Sequence, residues 1–416
     1  MQILIIAIGS AGDVHPLAAL GMALQRRGHD VVFLTNPQFA PLIENLGLSF
    51  VPLGTIAQYA EATTNPDLWE PRKGFTVIWQ MLRDGNRIVY DRIVELVKSK
   101  RTILVGSTLA IGARLAQEKL GLSMATVHLS PSCILSSYRP PVFKGLWLPA
   151  SLPLFVKQGV WWLIERGMID RVCADDLNRL RAELELPPVT RVMGKWIHSP
   201  DLVLGLFSEW FGQPQPDWPA NFHVTGFPLF DEAVQTSSKL EMFLDTEPPP
   251  IVFTPGSAMR FATPFFNNAI EACRRLGRRG LLLTTYTEQL PALPAFIHHE
   301  NYVPLGNVLP RSAAFVYHGG IGSCAQALAA GIPHMVVPYA HDQFDNASRL
   351  RELGVGLSVS HSDGADSFTE SLRHLIESPA VIASCQKLRE QMMNRSDVLG
   401  KTCLLIENLE TVDKRN

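Results

Sequence analysis

The chain has 416 residues, more than one ordinary hydrophobic core sustains, so two domains of roughly 200 residues are expected. Hydrophobic residues make up 46% and charged residues 18%, the balance of a soluble globular protein with ample core. The formal net charge of −2 gives no electrostatic basis for binding nucleic acid.

Ile3–Ile8 is a continuous apolar run, the pattern of a strand buried on both faces. It enters the turn Gly9-Ser10-Ala11-Gly12 directly, without a basic leader or a small-residue cleavage site, which argues against a signal peptide. Pro16 suits the first turn of a helix that reaches Arg27-Gly28. Val31–Thr35 and Ser49–Pro52 read as strands around a helix over Pro37–Leu46. A mostly helical stretch runs from about Pro71 to Lys100, then strand Ile103–Val105, helix Ile111–Leu120 and strand Met124–His128. Alternation of this kind specifies a parallel sheet, so the first half is a Rossmann-like domain.

From 139 to 186 the alternation stops and helices are expected, with Trp147, Trp161 and Trp162 among bulky apolar neighbours. Such a stripe is read either as a helical subdomain packed on the sheet or as one wall of an apolar acceptor pocket. The region from Gly145 to Ile164 is interrupted by Pro149, Pro153 and Lys157, too soon for a membrane span. Strands resume at Leu202–Leu206 and Phe222–Thr225, and the polar stretch 231–250, ending in Glu247-Pro248-Pro249-Pro250, reads as a linker. Ile251–Thr254, Leu281–Thr284, Ala313–Tyr317 and His334–Val337 supply a second parallel sheet, with helices at 264–276, 323–330 and 343–353. The domains expected are 1–230, 251–395 and a tail helix in 396–416. Six cysteines are scattered without CxxC pairs, the pattern of reduced buried thiols in a cytosolic protein.

The chemistry concentrates around His318-Gly319-Gly320-Ile321-Gly322-Ser323. A strand, a glycine turn and a helix N-terminus make an anion site, because free N–H groups and the positive end of the helix dipole converge there. Gly256-Ser257, after the strand Ile251–Thr254, offers a second such turn. At the carboxyl end of the strand His334–Val337 comes a polar cluster, His341-Asp342-Gln343-Phe344-Asp345-Asn346, suited to a polyhydroxyl ligand. Phosphate at one strand end and hydroxyl-binding side chains at the next point to a nucleotide sugar.

Tyr302-Val303-Pro304, the glycine turn, Ala329-Ala330-Gly331-Ile332-Pro333 and Asp342-Gln343…Asn346-Ala347, in that order, resemble the donor signature of family 1 glycosyltransferases. Ile8-Gly9-Ser10-Ala11-Gly12-Asp13-Val14, Ser130-Pro131-Ser132, Gln215-Pro216-Asp217-Trp218-Pro219, Thr225-Gly226-Phe227-Pro228-Leu229-Phe230-Asp231 and Ala340-His341-Asp342-Gln343-Phe344-Asp345-Asn346-Ala347 are similar to the rhamnosyltransferases of rhamnolipid synthesis. The resemblance implies an α/β protein of GT-B architecture: two facing Rossmann-like domains, with a C-terminal helix crossing back to the first. It implies an inverting, metal-independent transferase that uses no cofactor, takes a dTDP-rhamnose or UDP-sugar co-substrate and moves rhamnose or glucose. The acceptor implied is an apolar alcohol such as a hydroxy-fatty-acid lipid. A natural-product O-glycosyltransferase (flavonoid, sterol or macrolide type) and a non-catalytic nucleotide-sugar-binding subunit of a partner enzyme are the alternatives. A cytoplasmic protein is expected, with peripheral contact at the inner membrane face, or a partner enzyme supplying the lipid, left open.

Carried over residue by residue, Gly256, Ser257, His318, Gly320, Gly322 and Ser323 hold the donor diphosphate, and Asp342 and Gln343 its sugar. Tyr302, Val303 and Gln326 hold base and ribose. Tyr302 stands where the family has a base-stacking tryptophan, Leu305 where it has glutamine and Gln326 where it has glutamate, which departs from a standard uridine donor. On the acceptor side Asp13 occupies the position of the family's histidine base, with no carboxylate in Ile103–Leu109 to orient a histidine. His15 competes for the role, and Asp13 has the alternative reading of a turn or cap residue.

Overall fold

A computed structural model describes residues 1–146, 148–149, 151–232, 234–393 and 397–410. Two compact units emerge from it. One takes in Met1–Leu68, Arg72–Pro228 and the chain from Asp397 onward; the other takes in Leu229–Ser396 and Trp69–Pro71.

The first unit is built on seven strands: β1 (Gln2–Ile6), β2 (Asp30–Thr35), β3 (Ser49–Pro52), β4 (Ile103–Ser107), β5 (Ser123–His128), β6 (Leu202–Gly205) and β7 (Phe222–Val224). They lie in the order β3-β2-β1-β4-β5-β6-β7, every pair parallel, with Ile5 opposite Phe33 on one side and Val105 on the other. Ile3 to Ile6 are fully buried, as an apolar run covered on both faces requires. β1 leads into the turn at Gly9, and the helix Ala11–Arg26 begins at once.

The second unit holds six strands: β8 (Ile251–Thr254), β9 (Gly280–Leu283), β10 (Ile297–Glu300), β11 (Ala314–Tyr317), β12 (His334–Val336) and β13 (Gly356–Ser358). Their order is β10-β9-β8-β11-β12-β13, again wholly parallel. Each unit is therefore a Rossmann-like parallel sheet. The edge strands β10 and β13 lie outside the expected set. Ile-His-His-Glu lacks an apolar run, and Gly-Leu-Ser is three residues long; an edge strand needs burial on fewer sides, so its pattern is faint.

The stretch 231–250 is not a bare connection. Ser237 caps a helix, Ser238–Leu244, whose Leu240 and Leu244 are buried. Arg311 reaches Glu241 at 2.8 Å and Asp245 at 2.5 Å, so this helix belongs to the second unit. Ahead of the long helix Gly74–Leu96 lies another, Ile56–Thr64, beyond those expected from the apolar pattern. The insertion folds as one continuous helical run, Leu154–Ile164, a π-helical turn Glu165–Ile169, and Asp170–Glu183.

The tail helix Val398–Glu407 packs on the first unit. Cys403 and Ile406 are fully buried, Lys401 donates to the Val224 carbonyl at 2.8 Å, and Glu407 accepts two 2.6 Å hydrogen bonds from Arg27. His29 Nε2 lies 2.8 Å from the same carboxylate. No helix among the described residues is long and apolar enough to cross a membrane.

Candidate active site

In the first unit the residues expected to act, Asp13 and His15, follow β1. Gly9 has φ +142°, and a Cβ there would collide with Asp13 Oδ2, so only glycine lets the turn close over that carboxylate. Asp13 Oδ2 accepts the Ser10 N–H at 2.8 Å and the Ser10 hydroxyl at 3.2 Å. Asp13 thus caps the helix that it stands on, and the positive helix end favours its charge. Burial is the larger influence and raises its pKa above the ordinary aspartate value, against the opposing hydrogen bonds from Ser10. His15 is partly buried on the same helix. Residues two apart on a helix point roughly 200° apart, so Asp13 and His15 do not serve one spot equally.

Beyond β4, Thr108 Oγ1 lies 2.9 Å from His128 Nδ1, and His128 Nε2 lies 2.9 Å from His198 Nδ1. Burial holds both imidazoles neutral, with His198 lowered to about 4. No local pattern singles out either histidine, since they sit seventy positions apart and only the sheet joins them.

The tryptophans do not form one wall. Trp161 is 5% exposed and packs its ring 6.3 Å from Phe143, whereas its neighbour Trp162 is 55% exposed. Adjacent helical residues diverge by roughly 100°. Trp147 lies outside the described residues. Volume of ligand size occurs elsewhere in this unit: a cleft of about 370 Å³ lined by Ile134, Leu135, Lys195, His198, Trp218 and Asn221.

In the second unit two glycine turns close on one imidazole. Gly256, after β8, has φ +103°, and a Cβ on it would lie 2.9 Å from the His318 ring. A Cβ on Gly320 would lie 2.5 Å from His318 Nε2. Gly320 is the N-cap of the helix Ile321–Ala330, which starts ahead of the expected position 323. His318 Nδ1 is buried with no hydrogen-bond partner, an unmet polar demand at a helix N-terminus. Burial, reinforced by nearby His341, lowers the His318 pKa to about 4, so the ring is neutral at pH 7. Gly320, Gly322 and Ser323 keep partial access to solvent, and Ser257 is exposed.

Below this turn the Tyr317 hydroxyl bonds His334 Nδ1 at 2.9 Å and Cys324 Sγ at 3.0 Å, tying β11, β12 and the helix together. Asn346 Nδ2 bridges the Gly319 carbonyl at 2.9 Å and Asp342 Oδ2 at 2.8 Å, which locks the glycine turn to the polar cluster. Asp342 stands at the N-cap of its helix and makes no side-chain capping bond. Gln343 is buried, its carbonyl oxygen already accepting the N–H groups of Tyr339 and Ala340 at 2.7 and 3.1 Å. His341, which the sequence placed only within the polar cluster, has φ +58°, a left-handed conformation that a non-glycine residue adopts at a cost and that clusters at functional sites. Its pKa is lowered by burial to about 4.

Tyr302 is 45% exposed, with Glu232 hydrogen-bonded to its hydroxyl. Val303 is buried and offers the site only its backbone. Gln326 Nε2 donates to the Phe230 carbonyl at 2.9 Å, and Asp231 Oδ2 accepts the Gly306 N–H at 3.2 Å. Burial raises the Asp231 pKa. Asp231 and Glu232 join this group through folding alone, being far from Tyr302 in the chain. Arg260, on the loop after Gly256, stacks its guanidinium 4.3 Å from the Tyr286 ring centre, with a buried and unpartnered Nε. A cation held on the loop that follows this glycine turn is a further feature that no sequence motif marks.

Residues 3–136 match the glycosyltransferase family 28 N-terminal domain, and residues 282–398 match the erythromycin biosynthesis protein CIII-like C-terminal domain. Glycosyltransferase GtfE of Amycolatopsis orientalis is 30% identical over 89% of this chain and 88% of its own. The chain belongs to the family 1-like glycosyltransferases. Another relative of this glycosyltransferase, the O-mycaminosyltylonolide 6-deoxyallosyltransferase of Streptomyces fradiae, is 27% identical over 98% of this chain and 97% of its own. The solved spinosyn rhamnosyltransferase SpnG, complexed with thymidine diphosphate, superposes with a TM-score of 0.69 at 18% identity, covering 97% of this chain and 100% of that one. The enzyme therefore has the GT-B fold, and the reading as a non-catalytic subunit falls away.

Proposed function

We propose that the enzyme transfers rhamnose, with inversion and without a metal, from a deoxythymidine-diphosphate donor to a hydroxyl of a large apolar acceptor, a hydroxy-fatty-acid lipid. The observation that carries the donor assignment is the convergence of the Gly256 and Gly320 turns on His318, whose Nδ1 lacks a partner. The helix dipole, the turn N–H groups and Ser323 stabilise the diphosphate as it leaves. Arg260 adds positive charge on the loop of the first turn. Asp342 and Gln343 hold the sugar hydroxyls, and Tyr302 with Val303 and Gln326 receives the nucleoside. Asp13 takes the acceptor hydroxyl proton as the oxygen attacks the anomeric carbon. Its burial-raised pKa makes it a stronger base than a solvated aspartate.

The deoxythymidine and 6-deoxyhexose parts of the reading draw support from the names of SpnG and the Streptomyces fradiae relative, and from the residues that depart from a uridine-diphosphate pattern. The lipid acceptor rests on the resemblance around Gly9–Val14 and Ala340–Ala347. A second reading, a macrolide-type acceptor, is favoured by the 6-deoxyallosyltransferase likeness. On the first reading the enzyme works in the cytoplasm, peripheral to the inner membrane face.

The test is mass spectrometry of products after offering dTDP-rhamnose and UDP-glucose with hydroxy-fatty-acid, macrolide, flavonoid and sterol acceptors, with and without EDTA. Rhamnosyl lipid formed equally in EDTA is expected. Turnover only with a polar or macrolide acceptor removes the lipid assignment, and loss in EDTA restored by magnesium removes the metal-free mechanism.

A further inference from the structure

The helical run Leu154–Ile169 buries several charged residues while leaving large apolar ones in water. Lys157 is 6% exposed, Glu165 3% and Asp170, just beyond, 8%. Glu165 accepts the Arg191 side chain at 2.7 Å, and Asp170 accepts the backbone N–H groups of Arg191 and Val192 at 2.8 and 3.0 Å. Trp161 packs inward, but four large apolar residues do not. Phe155 is 74% exposed, Trp162 55%, Leu163 61% and Met168 59%. Phe155 and Trp162 are seven apart and so lie along one line of the helix, with Leu163 beside them and Arg166 a turn further on. Arg166 and Arg171 are exposed and make no ion pair among the described residues. Large aromatic and aliphatic side chains left in water on adjacent turns mark a surface that something apolar covers.

We infer that this face docks the enzyme on a lipid surface bearing anionic headgroups. An aromatic and aliphatic stripe inserts at the acyl boundary, while flanking arginines meet the headgroups. Charge decides against a second copy as the occupant. Between Leu154 and Arg171 both acidic residues are buried, so a symmetric pairing of the apolar stripe would bring Arg166 and Arg171 against their own copies, the nearest exposed carboxylate on the helix being Asp175, one turn beyond Arg171. The apolar part of this helical run gives way to charged residues from Glu165 on and is too short to span, so the contact is interfacial. The inference fits the proposed lipid acceptor, but it is tested without donor or acceptor present.

Co-sedimentation of the full-length enzyme with phosphatidylglycerol–phosphatidylcholine vesicles and with phosphatidylcholine vesicles provides the test. The unaltered enzyme should prefer the anionic vesicles, and the double variant F155S/L163S should lose about 10-fold or more of its partitioning. Arg166→Glu should remove the anionic preference. In the unaltered enzyme, brominated lipid should quench part of the tryptophan fluorescence, a readout that needs no variant. Absence of vesicle binding and quenching, or equal binding by F155S/L163S, overturns the inference. So does a concentration-dependent dimer on sizing that these substitutions disperse while vesicles bind nothing. Vesicle binding by an enzyme that never rhamnosylates a lipid would sink the proposed reaction and leave this surface standing.

Discussion

Asp13→Asn separates the two roles that geometry gives to Asp13. As a cap, the carboxylate accepts the Ser10 N–H at 2.8 Å and the Ser10 hydroxyl at 3.2 Å. An asparagine carbonyl still accepts the first, so the structural loss is one hydrogen bond, about 1 kcal/mol. Removing a buried charge whose pKa burial has raised works in the opposite direction. The melting temperature should therefore move by no more than about 2–4 °C. As a base, by contrast, the asparagine amide has nothing to offer, and kcat should fall by roughly 10²–10⁴-fold. The assay is initial rate against pH at saturating acceptor, with calorimetry of nucleoside diphosphate alongside. Activity of the unaltered enzyme should fall on the acid side, as Asp13 takes up a proton, at a pH above the ordinary aspartate range. The residual rate of Asp13→Asn should lack that limb, with diphosphate affinity unchanged. An Asp13→Asn variant near full activity beside a dead His15→Ala would move the base to His15 and leave Asp13 a cap alone.

His318→Ala should weaken nucleoside-diphosphate binding by roughly 10- to 100-fold, the worth of one hydrogen bond to a charged group; unchanged calorimetric affinity in a folded variant removes His318 from the site. Gly256→Ala places a methyl 2.9 Å from the His318 ring at φ +103°, so donor affinity should drop although no donor contact is deleted; an affinity equal to that of the unaltered enzyme would show that the two turns do not act together. Glu407→Gln loosens the tail helix. The hydrogen bonds from Arg27, more than those from His29, hold the Glu407 pKa at about 2, below its ordinary 4.5. Its stabilisation, about 1 kcal/mol at this partly exposed site, is complete above pH 4.5 and lost as pH falls towards 2. The melting-temperature gap between Glu407→Gln and the unaltered enzyme should close over that window; a gap constant with pH refutes the assignment.

Legibility in the sequence followed burial. β1, β4, β8 and β11 are apolar runs covered on both faces, and their positions could be read directly because a central parallel strand has no solvent side to encode. The edge strands β10 and β13 escaped, since a strand with one neighbour can be short and polar. The stretch 231–250 misled through its proline end and charge, while two leucines four apart were enough to seat the helix Ser238–Leu244.

The same division runs through the site. Gly9, Gly256 and Gly319 announce turns that need positive φ, and those turns stand beside Asp13 and His318; the local pattern placed the turns, while the roles expected of the two side chains came from the family resemblance. What lies far apart in the chain was decided by the tertiary structure. Asp231 reaches Gly306 and His128 reaches His198 across long stretches of chain, and Arg260 reaches Tyr286 because the neighbouring parallel strands β8 and β9 bring their carboxyl ends to one edge. The orientation of the insertion belongs to this group too. Trp161 and Trp162 are identical in composition and adjacent in sequence, and one is core while the other faces solvent. Composition is blind to which side of a helix is covered. Burying Glu165 and Asp170 requires partners, which the segment at Arg191 and Val192 supplies, and with those carboxylates inward Trp162 and Leu163 face solvent.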